Sequence, residues 1–147
     1  HNRGWIVEQQ RAIVKYICEE QREYLKTRNP FDLEPMNQTA LAKHMGYGES
    51  IINKLIRNLS VQLPNKEIIF AGDLIPGAKL KSRQGVYALS QLQEDSKLYE
   101  GGKWKVTAKE LIPILKEEFD LDLARRTIAK NLSRLNMGTY APKLDQN

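Results

Sequence analysis

Ala124-Arg125-Arg126-Thr127-Ile128-Ala129-Lys130 gathers two arginines, a lysine and small residues into one helix-compatible window. At about 100° per residue, Ala124, Ile128, Leu132 and Leu135 share one face, while Arg126, Lys130 and Ser133 point the other way. The apolar face can anchor such a helix and the basic face can meet an anion. Just upstream, Lys105-Val106-Thr107-Ala108-Lys109-Glu110-Leu111 reads as a helix start, with Thr107 as N-cap and Glu110 as its capping-box partner. That helix is expected to run to about Glu118 and to be buried through Leu111, Ile114 and Leu115. Phe119-Asp120-Leu121-Asp122 then turns the chain into the arginine-bearing helix. The pair is a helix-turn-helix, a motif whose second helix enters the DNA major groove. Pro113 lacks a backbone donor and crowds the turn before it, which predicts a kink or a late helix start.

These residues resemble the sigma-54 class, the alternative, enhancer-dependent sigma factors of bacterial RNA polymerase. That family's signature near its C-terminus reads Ala-Arg-Arg-Thr-Val-Ala-Lys-Tyr-Arg-Glu. Residues Ala124 to Lys130 match it with only Ile128 for valine, after which Asn131, Leu132 and Ser133 replace Tyr, Arg and Glu. The resemblance extends to Pro35-Met36-Asn37-Gln38-Thr39-Ala40-Leu41-Ala42-Lys43-His44-Met45-Gly46-Tyr47-Gly48-Glu49-Ser50, which is similar to the family's other helix-turn-helix. Pro35, Ala42, Gly46, Glu49 and Ser50 are kept; Gly48 stands for His, Ile51 for Thr, Asn53 for Ser and Lys54 for Arg.

The same segment also makes sense from its residues alone. Asn37 caps a short helix, Gly46 permits a positive-φ turn, and a second helix is expected from about Glu49 to Leu59. Ile52, Leu55, Ile56 and Leu59 form its apolar stripe, leaving Asn53, Lys54, Arg57 and Asn58 for solvent, phosphates or base edges. Before it, Trp5 to Lys26 is the longest helical pattern, with Ile6, Ile13, Ile17 and Tyr24 on one edge and Val7, Val14, Cys18 and Leu25 on the other. Its end, Gln21-Arg22-Glu23-Tyr24-Leu25, is similar to a Gln-plus-aromatics ending of the long helix that precedes the first motif in the resembling family.

Between the motifs, Val61 to Gly77 carries Pro64, Gly72, Pro76 and Gly77 around the β-prone run Ile68-Ile69-Phe70, so a small hairpin or an apolar loop packed on the first motif is expected. Val86, Leu89, Leu92 and Tyr99 predict a helix within Gln84 to Tyr99, ended by Gly101-Gly102. The reading is an all-α chain with a domain boundary near Ala78. Residues 1–65 would be the long helix and first helix-turn-helix, 66–78 a linker or small hairpin, and 79–147 a three-helix domain like the family's RpoN box.

Charge placement supports an anionic partner more than net charge does. The 147 residues carry a formal +5, and Arg125, Arg126, Lys130 and Arg134 fall in ten residues, just after Glu117, Glu118, Asp120 and Asp122. A helix start rich in Asp would suit the helix dipole and leave the basic part available. One cysteine excludes an internal disulfide, and no apolar run approaches the roughly eighteen residues of a membrane span. A cytoplasmic, nucleoid-associated bacterial location is the corresponding expectation. The opening His-Asn, without an initiator Met, reads as an expression remnant or an excised fragment. Cys18 reads as a small core residue, His44 as a surface or capping residue, and Trp5 and Trp104 as packing residues.

Two distant histidines and one cysteine make no metal site, and neither metal nor cofactor is expected. With no Gly-rich phosphate loop and no nucleophile beside a histidine, catalysis is not expected either. The resemblance implies promoter recognition: an upstream GG element read by helix 125–135 through Arg125, Arg126, Thr127, Lys130, Ser133 and Arg134. It further implies a downstream GC element met by Glu49, Ser50, Asn53, Lys54 and Arg57. Implied partners are double-stranded promoter DNA, core RNA polymerase and, through the full-length factor, an enhancer-binding AAA+ activator ATPase, with the chain a monomer. The family's activator-responsive region and main polymerase-binding domain would lie outside these residues. Two other readings stand beside this one: a divergent module that binds polymerase or an activator without reading promoters, and a dimeric repressor with one reading helix per subunit.

Overall fold

The computed structural model describes residues 3–136, so His1 and the 137–147 end of the expected second domain lie outside it. Among the described residues the chain is all-α apart from two small hairpins, and its internal contacts divide between Leu80 and Lys81 into two compact units.

The first unit opens with α1 (Arg3–Glu20) and α2 (Arg22–Thr27). The single helix expected over 5–26 is thus interrupted at Gln21, although Gln21 N–H to Ile17 O and Leu25 N–H to Gln21 O, both 2.9 Å, carry the hydrogen bonding across. Gln21 is fully buried, and its side chain rather than its backbone explains the site. Its amide donates to Leu74 O (2.9 Å) and Glu34 O (3.0 Å) and accepts from Glu34 N–H (2.8 Å). Arg28 in the left-handed region ends α2, and a 3-10 turn at Pro30–Asp32 leads on.

The helix-turn-helix follows as α3 (Gln38–Met45) and α4 (Glu49–Ile56). Asn37 caps α3 by accepting from Ala40 N–H at 2.7 Å, and Gly46, at φ 79°, closes it. Both assignments agree with the sequence reading. Ile13, Ile17, Met36, Leu41, Ile52, Leu55, Ile56 and Leu74 form the core between these helices. Burying each such side chain is worth about 1.5–3 kcal/mol, which holds short helices that would not persist alone.

α4 ends at Ile56, short of the expected Leu59, because Arg57 is extended and Asn58 turns the chain at φ 60°. Leu59 instead leads into a hairpin of β1 (Ser60–Gln62) and β2 (Ile68–Phe70), antiparallel with Ser60 opposite Phe70 and Gln62 opposite Ile68. Residues 66–78, expected as a linker or small hairpin, supply β2 and two 3-10 turns, with Ala71 and Leu74 fully buried in the first unit.

The second unit contains α5 (Leu80–Leu92), α6 (Ala108–Phe119) and α7 (Arg125–Asn136). Val86, Leu89 and Leu92 are buried on α5 as expected, but Tyr99 lies outside the helix. It belongs to β3 (Tyr99–Glu100), which pairs with β4 (Lys103–Trp104). Gly101-Gly102 therefore turns a hairpin instead of ending a helix. Consecutive positive φ angles of 62° and 78° suit a two-residue hairpin turn that side-chain-bearing residues resist. Tyr99 and Trp104 then meet edge to face at 5.1 Å.

The capping box at Thr107 and Glu110 is present in both directions. The late start that Pro113 allowed does not occur: α6 begins at Ala108 and continues through Pro113 to Phe119. Pro113 is exposed, so the helical bond it cannot make falls on the solvent side. Leu111 and Leu115 face inward, Asp120 caps the helix in the left-handed region, and Leu121 and Leu123 are buried in the turn before α7.

Candidate nucleic-acid interface

α7 is anchored by Ile128 and Asn131, both fully buried, with Leu132 and Leu135 half-buried beside them. Arg125, Arg126, Lys130 and Ser133 are exposed, which places the second motif's polar candidates on the side away from the core. Ala124, assigned to the anchoring face, is instead exposed at the helix entrance, where its carbonyl accepts from Ile128 N–H at 3.0 Å. Thr127 is half-buried on the flank. So is Arg134, whose guanidinium bonds Ser82 Oγ on α5.

The first turn of α7 differs from the expected Asp-rich helix start. It holds two arginines and no acid, since Asp120 and Asp122 lie in the preceding turn. Cations at the positive end of a helix dipole are disfavoured by about 0.3–1 kcal/mol each. The same arrangement adds the dipole's potential to that of Arg125 and Arg126, concentrating positive potential where an anion could approach. Asp120 is also engaged by Lys116 Nζ at 3.1 Å.

Asn131 is one of three positions at which the sequence departs from the family signature. Its Oδ1 accepts from Ser82 Oγ at 3.0 Å, and Gly85 of α5 lies directly against its amide. It is therefore a packing residue between α5 and α7, not a groove-facing one. Its pairing with Gly85 had no local sequence signal.

In the first motif, Ser50, Asn53, Lys54 and Arg57 are exposed, the first three on α4 and Arg57 just past its end. Glu49 Oε1 accepts from Thr39 Oγ1 at 3.1 Å, and Asn53 Oδ1 from Gln38 Nε2 at 3.5 Å. Both bonds join α3 to α4, so these two candidates also brace the motif. Ile51, where the family has Thr, is half-buried against the core. His44, exposed as expected, stacks on Tyr16 with ring centroids 3.7 Å apart and planes 14° from parallel. Burial, and after it the neighbouring Glu20, hold the Tyr16 phenol above its ordinary range. The sequence reading allowed a small hairpin or an apolar loop packed on the first motif; the hairpin forms, and its Ile68 and Phe70 stay 67% and 60% exposed. Alternation was the available signal, since Ile69 between them turns inward.

Among the described residues no group of acids, histidines and cysteines could hold a metal ion, and no helix is long and apolar enough to cross a membrane. Neither the curated proteins nor the solved structures give a match to this chain. The sequence model of one family, described as the sigma-54 DNA binding domain, does match, over residues 7–141. A match of that extent runs through both helix-turn-helix motifs, and the chain accordingly belongs to the sigma-54 DNA-binding-domain family, non-enzymatic domains that bind promoter DNA in transcription initiation by RNA polymerase.

Proposed function

We propose that α7 lies in the major groove of an upstream GG element and reads it through Arg125 or Arg126. The observation that carries this reading is an arginine pair exposed at the start of a recognition helix whose other face is fixed by Ile128 and Asn131. A guanidinium donating two hydrogen bonds to guanine O6 and N7 discriminates by about 1–3 kcal/mol. Thr127 and Ser133 flank the base edges. Lys130 neutralises a phosphate, joined from the flank by Arg134. Ser50, Lys54 and Arg57 of the first motif face a downstream GC element, with Glu49 and Asn53 holding α4 in place. The chain acts as a monomer within a longer factor that answers to an activator ATPase and works in the bacterial cytoplasm.

The test is fluorescence anisotropy on a duplex with both elements, and on the same duplex with GG replaced, at two salt concentrations. We expect at least a tenfold preference for GG, flattened by Arg125→Ala or Arg126→Ala. Lys130→Ala should weaken both duplexes alike and reduce the salt slope by about one. If both arginine variants keep the GG preference, α7 does not read that element.

A second reading rests on Ile51, which packs into the core where the family carries a polar residue and so reduces what α4 can present to bases. There the first motif and long helix bind polymerase or the activator. It predicts DNA binding indifferent to sequence, together with retention on an immobilised polymerase or activator. Failure to retain with both would exclude it.

A further inference from the structure

Two residues of α7 meet one hydroxyl of α5. Ser82, in the first turn of α5, donates to Asn131 Oδ1 at 3.0 Å and accepts from the Arg134 guanidinium. Asn131 and Arg134 stand three residues apart on α7, so they are neighbours on one side of it with the hydroxyl between them. Gly85, one turn further along α5, lies against the Asn131 amide. The bare backbone at Gly85 sets how closely the two helices approach. Ser82 acts on a different coordinate, the rotation of α7 about its own axis, because a roll in either direction carries one of its two partners away.

Asn131 makes that rotation costly to lose. It is fully buried, and among the described residues its Nδ2 has no hydrogen-bond partner. The bond from Ser82 to Oδ1 is therefore what satisfies this amide. Without the hydroxyl a whole amide is left unpaired in the interior, an arrangement folded proteins avoid. The relief open to it is a roll of α7 that brings the amide towards water. A roll of about 20° at the roughly 5–6 Å radius of a helix with its side chains moves a side chain by about 2 Å. Hydrogen bonds to a base edge span only about 2.7–3.2 Å, so such a shift breaks one. A lysine on a phosphate tolerates it, since that contact depends on charge and distance rather than on a fixed plane.

We propose that Ser82 is a positioning residue for the α7 arginines. By holding Asn131 and Arg134 it sets the roll of the helix, and with it the two-bond fit of Arg125 or Arg126 to guanine. Ser82 acts through α7, so loss of its hydroxyl costs discrimination between sequences and not attraction to DNA. This inference rests on α7 as the reader of the GG element, and adds a residue of another helix on which that reading depends.

The experiment measures, by fluorescence anisotropy, the affinity of the full chain for the duplex with both elements and for the same duplex with GG replaced. Ser82→Ala removes the hydroxyl and suits a helix, whereas Ser82→Thr keeps it. Thr107→Ala loosens the same unit by removing the α6 cap without touching the Ser82 bonds. We expect Ser82→Ala to reduce a GG preference of tenfold or more to about twofold, with affinity for the GG-replaced duplex within about twofold of the original. Ser82→Thr should restore the preference, and Thr107→Ala should keep it although its melting temperature falls. Ser82→Cys, similar in shape but a weak donor, should lie between alanine and threonine. Thermal melting verifies that each variant is folded. A GG preference that survives Ser82→Ala, that Ser82→Thr fails to restore, or that Thr107→Ala loses equally overturns the positioning role and leaves reading by α7 intact. Absence of a GG preference in the unaltered chain overturns that reading and this inference with it.

Discussion

Gly85 and Asn131 show how much one pair of residues can decide. A Cβ on Gly85 would land on the Asn131 amide and come within 3.0 Å of Leu123 Cδ1. Gly85→Ala should therefore destabilise the second unit by about 1–3 kcal/mol, the usual cost of overpacking. Combining it with Asn131→Ala, which removes the obstructing amide, should recover part of that loss. Urea unfolding of the two single variants and the double one measures the coupling. Cys18 gives a second residue-scale prediction. Burial disfavours its thiolate and pushes the thiol above its ordinary range. The folded state holds that proton more tightly than the unfolded chain. Its contribution to stability is thus full below the ordinary thiol range and is lost as pH rises through the raised value. Alkylation near pH 8 should be several-fold slower than for a cysteine in an unstructured peptide, and denaturant should remove the difference. Neither Asn131's burial nor its pairing with Gly85 was legible in the sequence. A polar residue on a basic helix gives no sign that its neighbour in space is a glycine on another helix.

Elements announced themselves where their signals were local. Asn37, Gly46, Thr107 and Glu110 each act within four residues of their own position, and each does in the fold what its type predicts. Asn37→Ala should cost about 1 kcal/mol and Thr107→Ala a similar amount, read as shifts of the denaturant midpoint. Errors came where an element's end depends on something distant or on turn geometry. Helical spacing through Leu59 could not show that Asn58 would adopt a positive φ and begin a hairpin. Helical spacing up to Tyr99 predicts Gly101-Gly102 as a helix stop, but a glycine pair punctuates a helix end and a hairpin turn equally well. Replacing Gly101 or Gly102 by Ala should cost about 1–2 kcal/mol, since each lies in the left-handed region. The candidate site divides along the same line. The exposure of Arg126, Lys130 and Ser133 followed from helical periodicity alone, whereas the meeting of Ser82 with Asn131 and Arg134 needed α5 and α7 to pack first.

At the scale of the whole molecule, two unlike helix-turn-helix motifs in one chain change what binding should look like. If each meets its own element, the second contact forms at an effective concentration set by the tether. A duplex with both elements should then bind on the order of 10²–10⁴ more tightly than one with either alone. Inserting half a helical turn of DNA between the elements should collapse most of that gain. Light scattering of the complex should give one chain per duplex, whereas a dimer on a palindrome would favour the repressor alternative.

The Gln21 side chain carries a consequence for the order of assembly. One amide, buried in the first unit, joins the start of α2 to Glu34, thirteen residues on, and to Leu74, fifty-three residues on. Those three segments lose or keep their bonds together, since the one side chain that joins them is fully buried. Deuterium exchange at the Glu34 amide should therefore track complete unfolding of the first unit rather than fraying of the loop in which it sits. An exposed-looking stretch of irregular chain would be among the slowest to exchange.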